Sequence, residues 1–104
     1  MEKSQGLIEM KLVSITKSTT PGRKWTATFR SPGGREKHTD FGASGYLDYT
    51  TGASLEQRNR YRARHGKDLD TDDPTRAGYL SYYLLWASPN FAANLRAFKT
   101  KFNL

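Results

Sequence analysis

Between Gln57 and Lys67 an arginine stands at every second position, Arg58, Arg60, Arg62 and Arg64, followed directly by His65 and then Lys67. A helix advances about 100° per residue, so this spacing spreads guanidinium groups around most of a helix instead of along one stripe. Such a segment repels itself and seeks anions. A planar guanidinium fork gives two parallel hydrogen bonds to an oxyanion, which makes phosphate, and so nucleic acid, the expected partner. The competing arrangement pairs half of these arginines with Asp68, Asp70, Asp72 and Asp73 in the adjoining segment.

A second basic set, Arg23, Lys24, Arg30, Arg35 and Lys37, lies in or beside two Pro-Gly turns. Tight turns gather strand ends, so these side chains are expected to form one end of a continuous positive surface. The alternative is a solvated sheet edge guarded by charge. The expected contact set is therefore Arg58, Arg60, Arg62, Arg64, His65 and Lys67, joined by Arg23, Lys24, Arg35 and Lys37. Contacts of this kind position a nucleic acid without reading it, and Asn59 alone on the helix suits a base edge. Low sequence specificity and an affinity that falls steeply with salt follow.

For catalysis the inventory is thin. His38 and His65 are far apart in sequence, cysteine is absent, and neither a Gly-x-Ser-x-Gly nor a Walker loop occurs. His38, Asp40, Tyr49, Arg58 and His65 are the candidates for a shared polar site, which keeps a phosphodiester-acting enzyme as an alternative. The expectation is a non-enzymatic protein with no catalytic residues and no cofactor. Residues 68–73 imitate the first half of an EF-hand loop, but Asp73 stands where glycine is needed and Tyr79 where a bidentate glutamate is needed. No metal site is expected, and capping of a helix by Asp72 or Asp73 accounts for the acids better.

The elements that must carry these residues divide the chain in two. Ile8, Met10 and Leu12 alternate with charged residues, and the phase then shifts at Val13 and Ile15, which predicts a bulge or twist. Trp25, Ala27 and Phe29 alternate with polar residues, as do Lys37, Thr39 and Phe41, and the Pro-Gly turns separate these runs. Ser54 and Gln57 have capping-box form, which predicts a helix from Leu55 to His65 that stops at Gly66. A second helix is expected to start at Asp73 and Pro74, and a third at Ser88 and Pro89. Phe91, Leu95, Phe98 and Phe102 give the third helix one apolar stripe.

The predicted architecture is a single α+β domain over residues 1–104. A three-stranded antiparallel meander spans about residues 7–42, and three helices over about residues 54–102 pack on one face. The second helix, with Tyr79, Leu80, Tyr83, Leu84 and Trp86, is expected to lie deepest, and Gly78 to allow close approach to another backbone.

Composition fits this reading. In 104 residues, 17 Lys and Arg against 10 Asp and Glu give a net charge of +7, which favours polyanionic partners. Without cysteine there are no disulfides or thiolate zinc sites. The longest apolar run, residues 82–87, is far too short to span a bilayer, and no signal-like segment opens the chain. A soluble protein that is not secreted and does not bind membranes is expected.

In residues 38–50, 58–65 and 73–78 and at Leu85 and Trp86, the chain resembles a family of small basic proteins of large double-stranded DNA viruses of algae and amoebae. The resemblance covers about residues 24–102. Relatives often carry a histidine and acidic residues before the arginine helix, where this chain has Thr51, Gly52, Ala53 and Ser54. The resemblance implies a viral origin and a place in the virion or the interior of the host cell. Two settings follow from it. The protein is either associated with the genome, with DNA as the partner, or a structural virion component whose arginines bind other capsid or core proteins.

Overall fold

The structure, a computed structural model, describes residues 10–104. Three antiparallel strands, β1 (Lys11–Lys17), β2 (Arg23–Arg30) and β3 (Glu36–Ala43), form one sheet in the order β1-β2-β3. Residues 7–9 of the expected first strand lie outside the described residues. Leu12 faces Phe29 while Ser14 faces Thr28, so Val13 is an extra residue in β1, a bulge where the apolar phase slips. Val13 points outward and is exposed.

Both Pro-Gly turns close the hairpins, but with different glycine geometry. Arg23 N–H donates to the Thr20 carbonyl across Pro21 and Gly22, with Gly22 at a positive φ of 84°. In the second turn Gly34 N–H donates to the Ser31 carbonyl, and the positive φ of 92° falls on Gly34, one position later than in the first turn.

The helical half follows. Helix α1 is Leu55–His65, opened by the capping box: Gln57 N–H donates to Ser54 Oγ and the Gln57 side chain accepts from Ser54 N–H. Gly66 does not end the helical path. It stays right-handed and leads into a 3-10 turn, Gly66–Thr71, whose left-handed cap is Asp72. Helix α2, Ala77–Leu80, continues into a π turn, Ser81–Leu85, and α3 is Phe91–Phe102. The second helix thus starts later than Asp73. The Asp73 carboxylate accepts from the Thr75 N–H and hydroxyl and closes a turn ahead of the helix, a role that uses the same chemistry as an N-cap. The cap of α3 is Asn90, whose side chain accepts from Ala93 N–H, instead of Ser88.

The core lies between the inner sheet face and α2 with α3. Ala27, Phe29 and Phe41 meet Leu80, Leu84, Leu85 and Phe98, all of them buried. Each fully buried Phe or Leu contributes about 1.5–3 kcal/mol relative to exposure. In the π turn, hydrogen bonds run five residues back, so Leu80 and Leu85 share the buried face that α spacing gives to Leu80 and Leu84. The stripe of α3 packs as its spacing predicts, Phe91 stacking on Trp25 with ring centroids 5.5 Å apart. Buried Asn94 ties α3 to α2 by donating to the carbonyls of Leu84 and Ser88. Gly78 approaches a side chain, not a backbone: a Cβ there would lie 2.9 Å from Asp68 Cβ. Helix α1 buries none of its residues and sits at the margin of this core. Among the described residues, no helix is long and apolar enough to cross a membrane.

Candidate nucleic-acid interface

The four arginines of α1 have four different surroundings. Arg58 reaches across to the end of α2, where Nε donates to the Trp86 carbonyl and Nη2 to the Ala87 carbonyl, each at 3.0 Å. It serves as a cap for a chain segment short of donors. Arg62 lies over the Tyr82 ring, 4.1 Å from its centroid. Arg60 pairs with Glu56 at 3.2 Å, both exposed, and Arg64 has no ion pair or side-chain hydrogen bond among the described residues. Among the described residues, Asp68, Asp70, Asp72 and Asp73 form no ion pair with the four arginines. Asp68 instead meets His65, and Asp73 meets Arg76 and Lys37.

The basic set on the meander does not form one patch. Successive turns of a meander lie at opposite ends of the strand between them, and β2 spans about 23 Å at a rise near 3.3 Å per residue. Arg23 and Lys24 therefore stand at one end of the sheet, and Arg35 and Lys37 at the other. Each end instead joins part of the helical half.

At the first end, Arg23, Arg60 and Arg64 line a cleft of about 530 Å³ between α1, the sheet and the loop after β3. Lys24 and Asp48 also line it, but their charges cancel in an ion pair that is 16% and 3% exposed. Asp48 Oδ1 accepts from the Thr50 N–H and hydroxyl, which fixes the base of the loop. The inner wall is aromatic. Tyr61 stacks between His65, at 4.2 Å between centroids, and Trp86, at 4.4 Å and 9° between planes. Burial raises the pKa of the Tyr61 phenol above its usual value.

At the other end, Lys37, Lys67 and Arg76 surround a wider, shallower hollow that Asp68 also lines. Lys37 Nζ donates to the Thr75 hydroxyl at 2.7 Å. The carboxyl of Asp73 faces opposing influences: burial pushes its pKa up, and the Thr75 hydrogen bonds, the Lys37 charge and a hydrogen bond from Arg76 bring it below the ordinary value. The 3-10 turn separates the two hollows, since His65 lines the first and Lys67 with Asp68 the second.

The residues expected in a shared polar site do not gather into one. Asp40 lies on the outer face of the sheet, where its carboxylate accepts from the hydroxyls of Ser18, Thr20 and Thr26. His38 is on that face too, beside Thr28. Arg58 neighbours Tyr49, its guanidinium 6.0 Å from the ring centroid, and His65 is in the aromatic stack.

Two contributors, Arg76 and Tyr46, lie outside the expected contact set. Arg76 stands alone in its segment and carries no signal. Tyr46 does carry one: with Leu47 it forms an apolar pair in a glycine-flanked loop, where nothing is available to bury it. Tyr46 is 74% and Leu47 57% exposed, and both line the first cleft.

No curated protein and no solved structure matches the chain. Residues 13–65, which hold most of the meander, the cleft's three arginines and α1, match a family described as "Family of unknown function (DUF5754)", and the chain belongs to that family.

Proposed function

We propose that this protein binds nucleic acid through phosphate contacts with low sequence specificity. The observation that carries the reading is the convergence of Arg23 with Arg60 and Arg64 on one cleft. The only carboxylate bonded to these arginines among the described residues is that of Glu56, and it is solvent-exposed. An exposed pair of that kind is held by about 0–1 kcal/mol, so a phosphate can take the place of Glu56. Lys37, Lys67 and Arg76 supply a second contact on the far side of the 3-10 turn. Arg58 and Lys24 serve the fold and are not part of the contact set. The likeness to small basic proteins of large double-stranded DNA viruses supports the same reading, with the viral genome as the polyanion.

The test is a salt titration of binding to unrelated duplexes and single strands. Expected is a linear fall of log affinity with log salt, similar for every sequence, and a shallower slope when Arg23, Arg60 and Arg64 are all replaced by glutamine. Undetectable binding at low salt, or binding indifferent to that triple replacement, defeats the proposal.

A further inference from the structure

We infer that the Arg23, Arg60, Arg64 cleft takes one unpaired nucleotide of a single strand, its phosphate on the guanidinium groups and its base against Tyr46. This deepens the phosphate-binding reading above and rests on it.

Shape is the first argument. At about 530 Å³ the cleft falls in the size range of sites that enclose a small organic ligand. A duplex is too wide to enter and would lie across the mouth, touching only the outermost charges. A single strand can turn one nucleotide inward.

The lining is the second argument. Phosphate contacts need only cations, yet this mouth carries a tyrosine ring that is 74% exposed beside a leucine that is 57% exposed. Exposed apolar groups at the rim of a cationic cleft fit a ligand that is anionic along one edge and presents an aromatic face along another. An unpaired nucleotide has both properties. In a duplex the base faces are already stacked on one another.

Positioning is the third. The loop bearing Tyr46 returns to the body of the protein at Asp48, which the Lys24 ammonium and the Thr50 and Thr51 hydroxyls hold in place. Across the cleft the stacked rings of His65, Tyr61 and Trp86 form a firm wall. Charge with interleaved aromatic rings is the arrangement by which proteins hold single strands without regard to sequence.

The experiment measures fluorescence anisotropy at low salt with three labelled probes of equal length: a single strand, an abasic single strand, and a duplex. The proteins are the wild type, Tyr46→Ala, Tyr46→Trp, and the triple Arg23→Gln, Arg60→Gln, Arg64→Gln variant. Tyr46 is exposed, so its variants should melt as the wild type does. Expected is binding of the single strand tighter than of the abasic strand by roughly 5- to 150-fold, the worth of one stacked base. Tyr46→Ala should abolish that difference and leave the abasic and duplex affinities unchanged, and Tyr46→Trp should keep it. If the wild type holds base-bearing and abasic strands equally, or Tyr46→Ala keeps the difference, the cleft is not a base site. The phosphate reading then still stands if the triple variant binds weakly. Absence of binding to all three probes, or full binding by the triple variant, overturns both.

Discussion

Arg58 Nε donates to the backbone carbonyl of Trp86 at 3.0 Å, joining the most basic helix to the end of the most buried one. The arginine run thus contains a structural member among side chains that face solvent. Charge density alone does not distinguish them.

Stability should separate these arginines. Arg58→Gln is expected to cost about 1.5–3 kcal/mol, because it strands partly buried carbonyls that a charged donor now satisfies. Arg60→Gln and Arg64→Gln should stay within about 0.5 kcal/mol of the wild type. Urea denaturation of the three single variants checks this, and equal losses for all three would refute the assignment.

Binding should sort them the other way. On duplex DNA, each phosphate contact removed from Arg60 or Arg64 should lower the slope of log affinity against log salt by about 0.9. Arg62→Gln, which leaves the Tyr82 ring uncovered and lies outside the cleft, should change the slope less.

The Lys24–Asp48 pair anchors the loop that carries Tyr46. Asp48→Asn leaves the ammonium uncompensated and should cost about 3 kcal/mol, the lower end for a broken buried pair because Lys24 retains some contact with water. Adding Lys24→Met should recover part of that loss, so the two effects will not add. Thermal melts of the two singles and the double give the coupling directly.

Acid sensitivity should trace partly to Asp40. Hydrogen bonds from Thr20 and Thr26, then from Ser18, together with the Arg23 charge, outweigh desolvation and hold its carboxyl below the ordinary value of 3.8. A depressed folded pKa means that the stabilisation is fully present above that ordinary value and is lost as pH falls through the lower folded one. Asp40→Asn should therefore flatten the fall in the urea midpoint between neutral pH and pH values below 3.8. A wild-type and variant pair with parallel acid profiles would remove Asp40 from the explanation.

Gly78→Ala should destabilise by about 1–3 kcal/mol through overpacking. The new methyl would meet Asp68 at its Cβ, close to the main chain, so the 3-10 turn itself must move. The His65–Asp68 contact should loosen with it, visible as a shift of the His65 ring resonances.

Much of the fold can be read from local pattern because it is made locally. The phase slip at Val13, the Ser54 and Gln57 cap and the stripe from Phe91 to Phe102 each lie within a single element or its cap. The candidate site is different. Its arginines were visible by type, but their partners lie far along the chain: Arg58 bonds carbonyls 28 and 29 residues away, and Lys24 a carboxylate 24 residues away. Backbone carbonyls leave no mark in a sequence. Asp73 shows a second limit, since an aspartate that closes a turn and one that opens a helix present the same residue types.

The segment shared with the family stops at residue 65, whereas the side chains that cover Phe29 and Phe41 come from Leu80, Leu84, Leu85 and Phe98. A fragment cut at that limit would keep its hairpins and its cationic arm but leave two phenyl rings bare to water. The border of similarity is not a border of foldability, and a truncated piece should clump more readily than the whole chain.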